Sequence, residues 1–266
     1  MSSNNISIII PILNEAESIE HLLNHLLENS SKENIAEIIV VDGGSDDGSQ
    51  DIVNKFVTSN ESNVSLSAVE NKFDLYREAD PETSLGLMNQ TKIILIDSSK
   101  GRAIQMNIGS RFATGKILYF LHADSFPPKG FDKLIITEIQ NGNKAGCFKM
   151  KFDYNHWWLQ LASWLTQFRW RACRGGDQSQ FITKKLFNEI GGFDENYTIY
   201  EDNILINELY KRKQFTIINK KLTSSARRYK KYGIWKLQYH FWTIYVKKWF
   251  GANAEELHAY YKKNIA

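Results

Sequence analysis

Ile117-Leu118-Tyr119-Phe120-Leu121-His122-Ala123-Asp124-Ser125 is the stretch that decides the fold. Residues 117–121 form an apolar run of strand length, and His122-Ala123-Asp124 follows without a break. In an open parallel sheet, ligands bind just beyond the carboxyl ends of the strands. An acid at that point can hold a divalent cation, and the cation can hold a diphosphate. Taken alone, Asp124 serves equally well as a cap on the turn before Pro127-Pro128.

Working outward, the same pattern of apolar run and polar end recurs. Residues 6–12 are apolar, β-branched and closed by Pro11, and they read as a first strand. Asn14 with Glu17 has the spacing of a capping box, and Ile19, Leu22, Leu23, Leu26 and Leu27 follow at helical spacing. A second strand, 38–41, runs into Asp42-Gly43-Gly44-Ser45-Asp46-Asp47-Gly48-Ser49, and Ile52, Val53, Phe56 and Val57 mark the next helix. Residues 58–91 are polar, with a short strand or two, a surface loop and a turn at Asp80-Pro81. A third strand, 93–96, meets Ser98-Ser99-Lys100-Gly101-Arg102, and a helix carrying Ile104, Ile108 and Phe112 leads back to the stretch above.

Strands alternating with helices imply an α/β fold: a Rossmann-like, mostly parallel sheet with right-handed crossovers, flanked by helices. Each polar cluster by itself reads as a cap or turn. Four of them in register at the carboxyl edges read as one ligand crevice.

The second half differs in texture. Residues 146–153 read as a strand. Trp157, Trp158, Leu161, Trp164, Leu165 and Phe168 lie at helical spacing, and Gly175-Gly176-Asp177-Gln178 breaks a basic run. Residues 181–190 read as strand then helix, Gly191-Gly192-Phe193 as a turn, and Glu201-Asp202 as the start of a helix. Carboxylates at a helix start are stabilised by its dipole; one of them can also act as a general base. Arg102, at a helix start, can fork onto phosphate oxygens, and Arg227-Arg228 can complete an anion site or sit on a basic surface turn. The expected organisation is one unit, 1–266, with a nucleotide-binding half (1–125), an acceptor and catalytic half (126–230) and a helical tail (231–266).

Composition narrows the classes. The chain has 266 residues, 42% hydrophobic and 24% charged, as in an ordinary globular protein. A net charge of +3 makes no case for nucleic acid. Two cysteines are too few for a disulfide framework. The polar N-terminus and the lack of a long apolar run predict neither signal peptide nor membrane span, and point to the cytoplasm. The tail, with Trp235, Tyr239, Trp242, Tyr245, Val246, Trp249 and Phe250 among Lys236, Lys247 and Lys248, suits three fates. It can rest peripherally on the inner face of a membrane, pack on the core, or meet a second subunit in a homodimer.

Together these residues resemble the family 2 glycosyltransferases, which share the GT-A fold. Residues 7–15 resemble their opening strand, 41–49 their nucleotide-binding turn, and Lys100-Gly101-Arg102-Ala103 with Asn107, Gly109 and 113–115 their next segment. His122-Ala123-Asp124 stands where their Asp-x-Asp motif falls, and Glu201-Asp202 where their Glu-Asp motif falls. A closer resemblance is to the radical-SAM/selenodomain-associated transferase 2 subgroup, whose members include arsenosugar biosynthesis-type glycosyltransferases. It rests on residues 122–125, 176–178, 191–193, 201–202 and 225–228. In this chain His122 replaces the first Asp of Asp-x-Asp, and Ser179 replaces the Gly expected after Gly-Asp-Gln.

The resemblance implies an inverting, metal-dependent transferase of the hexosyltransferase type, moving a sugar from a nucleotide-diphosphate donor, with a UDP-sugar favoured, to an acceptor hydroxyl. Pro11, Asn14, Glu15, Asp42, Gly43, Ser45, Gly101, Arg102, His122 and Ala123 would line the nucleotide. Asp124 would hold Mg2+ or Mn2+, and Arg227 and Arg228 would neutralise the leaving diphosphate. Asp202 would be the base with Glu201 beside it, and Gly176, Asp177 and Gln178 would line the acceptor side. The competing readings are a nucleotidyltransferase, for which residues 11–17 lack a glycine-rich basic loop, and a non-catalytic protein that binds a sugar nucleotide or lipid head group.

Overall fold

The computed structural model describes residues 5–58, 65–66 and 91–265. The extreme N-terminus and the turn expected at Asp80-Pro81 lie outside the described residues. The strands are β1 (Ile6–Ile12), β2 (Ile35–Asp42), β3 (Ser65–Leu66), β4 (Lys92–Asp97), β5 (Ile117–Phe120), β6 (Ser125–Phe126), β7 (Ala145–Phe152), β8 (Gln180–Thr183) and β9 (Phe215–Ser224). The helices are α1 (Ala16–Asn29), α2 (Ser49–Thr58), α3 (Arg102–Phe112), α4 (Phe131–Gln140), α5 (Trp157–Leu165), α6 (Lys184–Ile190), α7 (Glu201–Lys211), α8 (Arg227–Tyr232), α9 (Ile234–Trp249) and α10 (Ala254–Asn264).

All the described strands join one sheet in the order β3-β4-β2-β1-β5-β8-β7-β9-β6. From β3 to β5 every pairing is parallel. β8 then runs antiparallel to both β5 and β7, β7 and β9 are parallel, and β6 pairs antiparallel with the end of β9. The parallel half is buried on both faces, which is why β1, β2 and β5 read as near-continuous apolar runs, broken within only by Ser7 and Glu37, and not as alternating ones. Successive residues still point to opposite faces. Ile8 and Ile10 pack with Leu22 and Leu26 of α1, whereas Ile9 packs on the other face with Met106 of α3, Leu186 of α6 and Leu205 of α7.

Two features hold the two edges of the parallel half together. Gly109 brings α3 flat onto β1: a Cβ there would lie 2.5 Å from Ile9 Cγ2. That close approach holds the first residue of α3, Arg102, over the carboxyl edge. At the opposite edge the buried Glu37 accepts from Ser7, from the Thr114 hydroxyl and from the Thr114 backbone N–H, locking the amino ends of β1, β2 and β5 together.

The capping box expected from Asn14 and Glu17 is not formed. The residue before α1 is Glu15, with no side-chain cap. Asn14 instead adopts φ +57°, in the left-handed region that Asn tolerates, and its side-chain carbonyl accepts from the Asp46 backbone N–H at 3.0 Å. Its polar side chain is spent on joining two loops, not on starting the helix.

One stripe of the tail does pack. Leu237 and Ile244 of α9, with Leu257 of α10, form a third cluster with Ile199 just ahead of α7. Among the described residues no helix is long and apolar enough to cross a membrane.

Candidate functional site

The loops after β1 and β2 are stitched to each other. Backbone N–H groups of Asn14, Glu15 and Ala16 donate to Ser45, Ser49 and Asp47 at 2.8–2.9 Å. Beneath them the buried Gln105 of α3 donates from Nε2 to the carbonyls of both Ile12 and Val41 at 2.7 Å, and its amide would lie 3.2 Å from a Cβ at Gly43, a tight fit. The loops that end the first two strands are therefore held together as one rim.

Asp42 is fully buried, and its carboxylate is spent on that rim. It accepts from the N–H groups of Gly44 and Ser45 at 2.9 Å, from the Ser45 hydroxyl, and from Gln50 at 2.6 Å. Asp42, expected to line the nucleotide, thus accepts four hydrogen bonds that hold this turn in shape. The neighbouring strand carries a second acid at this edge. Asp97, paired with Asp42 across β2 and β4, keeps an exposed carboxylate at the same edge, contacted by Gln50 at 3.2 Å. Desolvation and then the Asp42 charge raise its pKa.

Asp124 follows β5, and the β6–β9 pairing brings a distant piece of chain against it. Its carbonyl accepts from the Ser225 N–H at 3.0 Å, which delivers the start of α8. Arg227 then lies between two acids: Nη2 donates to Glu15, and Nε stands 3.6 Å from Asp124 Oδ2. Burial raises the Asp124 pKa; His122 and Arg227 pull it back, while Asp177 and Glu15 push it further up. Arg228 is engaged with the tail. It donates to the Tyr261 hydroxyl at 2.8 Å and stacks over Phe241 and Tyr261, so it pins α8 to the tail where an anion-binding role had been expected.

On the other side, Tyr200 at φ +74° turns the chain into α7 and aims Glu201 and Asp202 inward, both buried. Glu201 has a side chain with 0% exposure, and its Oε1 lies 2.7 Å from Arg102 Nε. No hydrogen bond in good geometry satisfies either Glu201 oxygen among the described residues. Burial pushes its pKa up to about 7, against the pull of Arg102 and with the push of Asp202. Burial disfavours the Arg102 charge, but Glu201, Asp202 and Asp177 outweigh it and hold the guanidinium protonated. The fork onto phosphate expected of Arg102 is therefore half committed: Nε goes to Glu201, and the side chain is still 40% exposed.

Asp177 links the two sides, since it acts electrostatically on both Arg102 and Asp124. Its neighbour Gln178 does not line the crevice. Gln178 is buried, accepts from Arg174 at 2.7 Å and donates to the Cys173 carbonyl at 2.6 Å. Ser179 sits at φ +57°, a backbone shape that favours glycine. Its hydroxyl accepts from the buried Tyr119 at 3.0 Å, an interaction glycine could not make.

The assembled site has five carboxylates (Glu15, Asp124, Asp177, Glu201, Asp202) around Arg102, Arg227 and His122. Among the described residues no group of three or more His, Cys, Asp or Glu could cage a metal. The donor set fits Mg2+ or Mn2+ held by Asp124 alone on the protein side, the rest of the shell coming from phosphate and water.

The sequence reading missed Gln105 and Asp97, and it noted Asn107 only as part of the resemblance, with no role. Asp97 ends its strand as Asp42 does, so that signal was present. Gln105 sits mid-helix and carries no pattern. Asn107 donates to the Phe193 carbonyl and to Glu195, fixing the Gly191-Gly192-Phe193 turn ahead of α7.

The family model for glycosyl transferase family 2 matches residues 7–77 and 84–194. The chain belongs to this family. A curated relative, glycosyltransferase AglE of Haloferax volcanii, is 28% identical over 122 residues, covering 46% of this chain and 31% of AglE. Among solved structures, the S. aureus TarS fragment 1–349 in complex with UDP superposes with a TM-score of 0.59 at 15% identity, covering 84% of this chain and 60% of TarS. The mannosyltransferase PcManGT from Pyrobaculum calidifontis, in complex with GDP-Man and Mn2+, gives 0.63 at 15% identity, covering 98% of this chain and 70% of that one. At such identities the likeness is one of fold, and the fold is the GT-A arrangement of this family. The chain spans about a third of AglE and 60% of the TarS fragment.

Proposed function

We propose that this family 2 member is an inverting glycosyltransferase that moves a sugar from a nucleotide-diphosphate donor to an acceptor hydroxyl. The observation that carries the reading is the meeting of Asp124 with the Glu201-Asp202 pair around Asp177, Arg102 and Arg227 at the carboxyl edge of the sheet. We place it in the radical-SAM/selenodomain-associated transferase 2 subgroup and read residues 1–266 as one GT-A unit.

In this reading the rim made by residues 13–16 and 42–49 offers backbone to the nucleoside, with Asp97 as acceptor for a base N–H and Glu15 beside the phosphates. Asp124 would hold Mg2+ or Mn2+, which when bound supplies positive charge to the departing diphosphate. Arg227 leans on that side, and the Nη groups of Arg102 face the same phosphates. Asp202 takes the proton from the acceptor hydroxyl as it attacks the anomeric carbon from the face opposite the diphosphate, which inverts configuration. Glu201 positions Arg102, and Asp177 faces the acceptor. The neighbours' ligands, UDP in TarS and GDP-Man with Mn2+ in PcManGT, support a nucleotide-sugar donor and leave two bases in play; we favour UDP.

The test is calorimetric titration of UDP, GDP and dTDP with and without Mn2+, on the wild type and on Asp124→Ala. Metal-dependent binding of one nucleotide, lost in the variant, is expected. No binding of any nucleotide under either condition would overturn the proposal.

A further inference from the structure

Helix α9 has two apolar stripes, and only one is used. Leu237 and Ile244 face the core. Trp235, Tyr239, Trp242, Val246 and Trp249 recur at helical spacing on the opposite side, all exposed, with Trp249 at 84% and Phe250 at 82%. A surface helix ordinarily carries polar residues there. The stripe runs about 21 Å at 1.5 Å per residue.

It continues onto α5. Trp158 lies beneath, 5.4 Å from the Trp235 ring and 5.6 Å from that of Trp242, and its indole N–H donates to Gln238. Trp157, 5.6 Å from Trp235, and Trp164 are exposed on the outer side of α5. All seven tryptophans of the chain lie on α5, on α9 or, as Trp170, just after α5.

The charge on this face is mostly positive, with Glu256 beside Val246, Lys247 and Phe250 at its far end. Neither 154–176 nor 226–254 contains an Asp or Glu. Lys231, Lys236 and Lys247 are exposed; Asp153 at the margin is taken by Lys230 at 3.7 Å. Beside α5 opens a cleft of about 420 Å³ lined by Lys149, Lys151, Lys221, Tyr154 and Trp164. Lys149 and Lys221 are register partners on adjacent strands. Both line the same cleft, so an anion seated there would be drawn by two positive charges.

We propose that the α5–α9 face docks on an anionic lipid bilayer, its indoles entering the interface and the lysine cleft seating a lipid phosphate. Tryptophan suits that position because its ring is amphipathic. Cations over an anionic leaflet gain from the surface potential within a Debye length. A purely aqueous surface would leave this aromatic area exposed without return. The inference stands on surface composition and does not depend on the reaction proposed above.

The test is flotation of the full chain with phosphatidylcholine vesicles and with phosphatidylcholine–phosphatidylglycerol vesicles, at low and high salt. Tryptophan emission is followed in parallel, since every tryptophan belongs to this region. Expected are binding to the anionic vesicles, weakened by salt, and a blue shift. Trp249→Ser with Phe250→Ser should lower partitioning about tenfold, and Lys151→Ala about fivefold. All three side chains are exposed, so circular dichroism should be unchanged. Protein that stays in solution with both vesicle types overturns the proposal. So does equal binding to both, which removes the head-group assignment. A homodimer by light scattering that the Trp249/Phe250 variant dissociates would assign the face to a second copy and overturn it as well.

Discussion

Replacing Glu201 by glutamine should change how stability depends on pH more than it changes stability itself. The folded-state pKa of Glu201 is pushed to about 7 from an ordinary 4.5. At about 1.4 kcal/mol per pH unit, ionising this buried group costs the folded state about 3 kcal/mol. The sign follows from proton counts. Below 4.5 the carboxyl is protonated in both states and nothing is lost. Between 4.5 and about 7 the unfolded chain has released the proton while the folded one still holds it, so stability falls as pH rises. Above about 7 both are ionised and the loss is complete. A glutamine amide does not titrate, so the Glu201→Gln variant should lack this decline. Arg102 keeps a neutral acceptor and, being 40% exposed, can also turn to water. Urea unfolding followed by circular dichroism from about pH 5 to about pH 8 should therefore give curves that separate by about 3 kcal/mol, or about 1 M in midpoint if m is about 3 kcal/mol/M. The other carboxylates shifted upward, Asp97 and Asp124, are common to both proteins and cancel in the difference. Midpoints that run parallel across this range would refute the claim that Glu201 is a desolvated acid.

Two further outcomes are expected. Asp202→Asn should lower turnover by about 10²–10⁴-fold while leaving nucleotide binding intact; normal turnover would sink the base assignment. Ser179→Ala keeps an unfavourable left-handed residue and orphans the Tyr119 hydroxyl, a loss of about 1–3 kcal/mol. Ser179→Gly loses the same bond but relieves the backbone by about 1 kcal/mol, so thermal unfolding should rank glycine above alanine, and equal midpoints would contradict that account.

Glu201 and Ser179 also mark the boundary between what is legible in the chain and what is not. The sequence alone determined the parallel half of the sheet, because strands buried on both faces must be continuous apolar runs and each must end where backbone meets solvent. It also marked Asp124 and Glu201-Asp202, since polar residues that abruptly close apolar runs or open helices stand out locally. Only the tertiary structure decided the partners. Glu15 and Arg227 are 212 positions apart and meet because β6 pairs with the end of β9. Arg102 turns to Glu201 and not wholly to solvent because Gly109 lets α3 lie directly on β1. Asp42 is spent on its own turn, Gln178 on Arg174 and Arg228 on Tyr261, and nothing in their spacing announces it. Residue type sets which interactions a side chain can make. Which one it makes depends on the donors and acceptors that packing brings within about 3 Å, and these come from elements far apart along the chain.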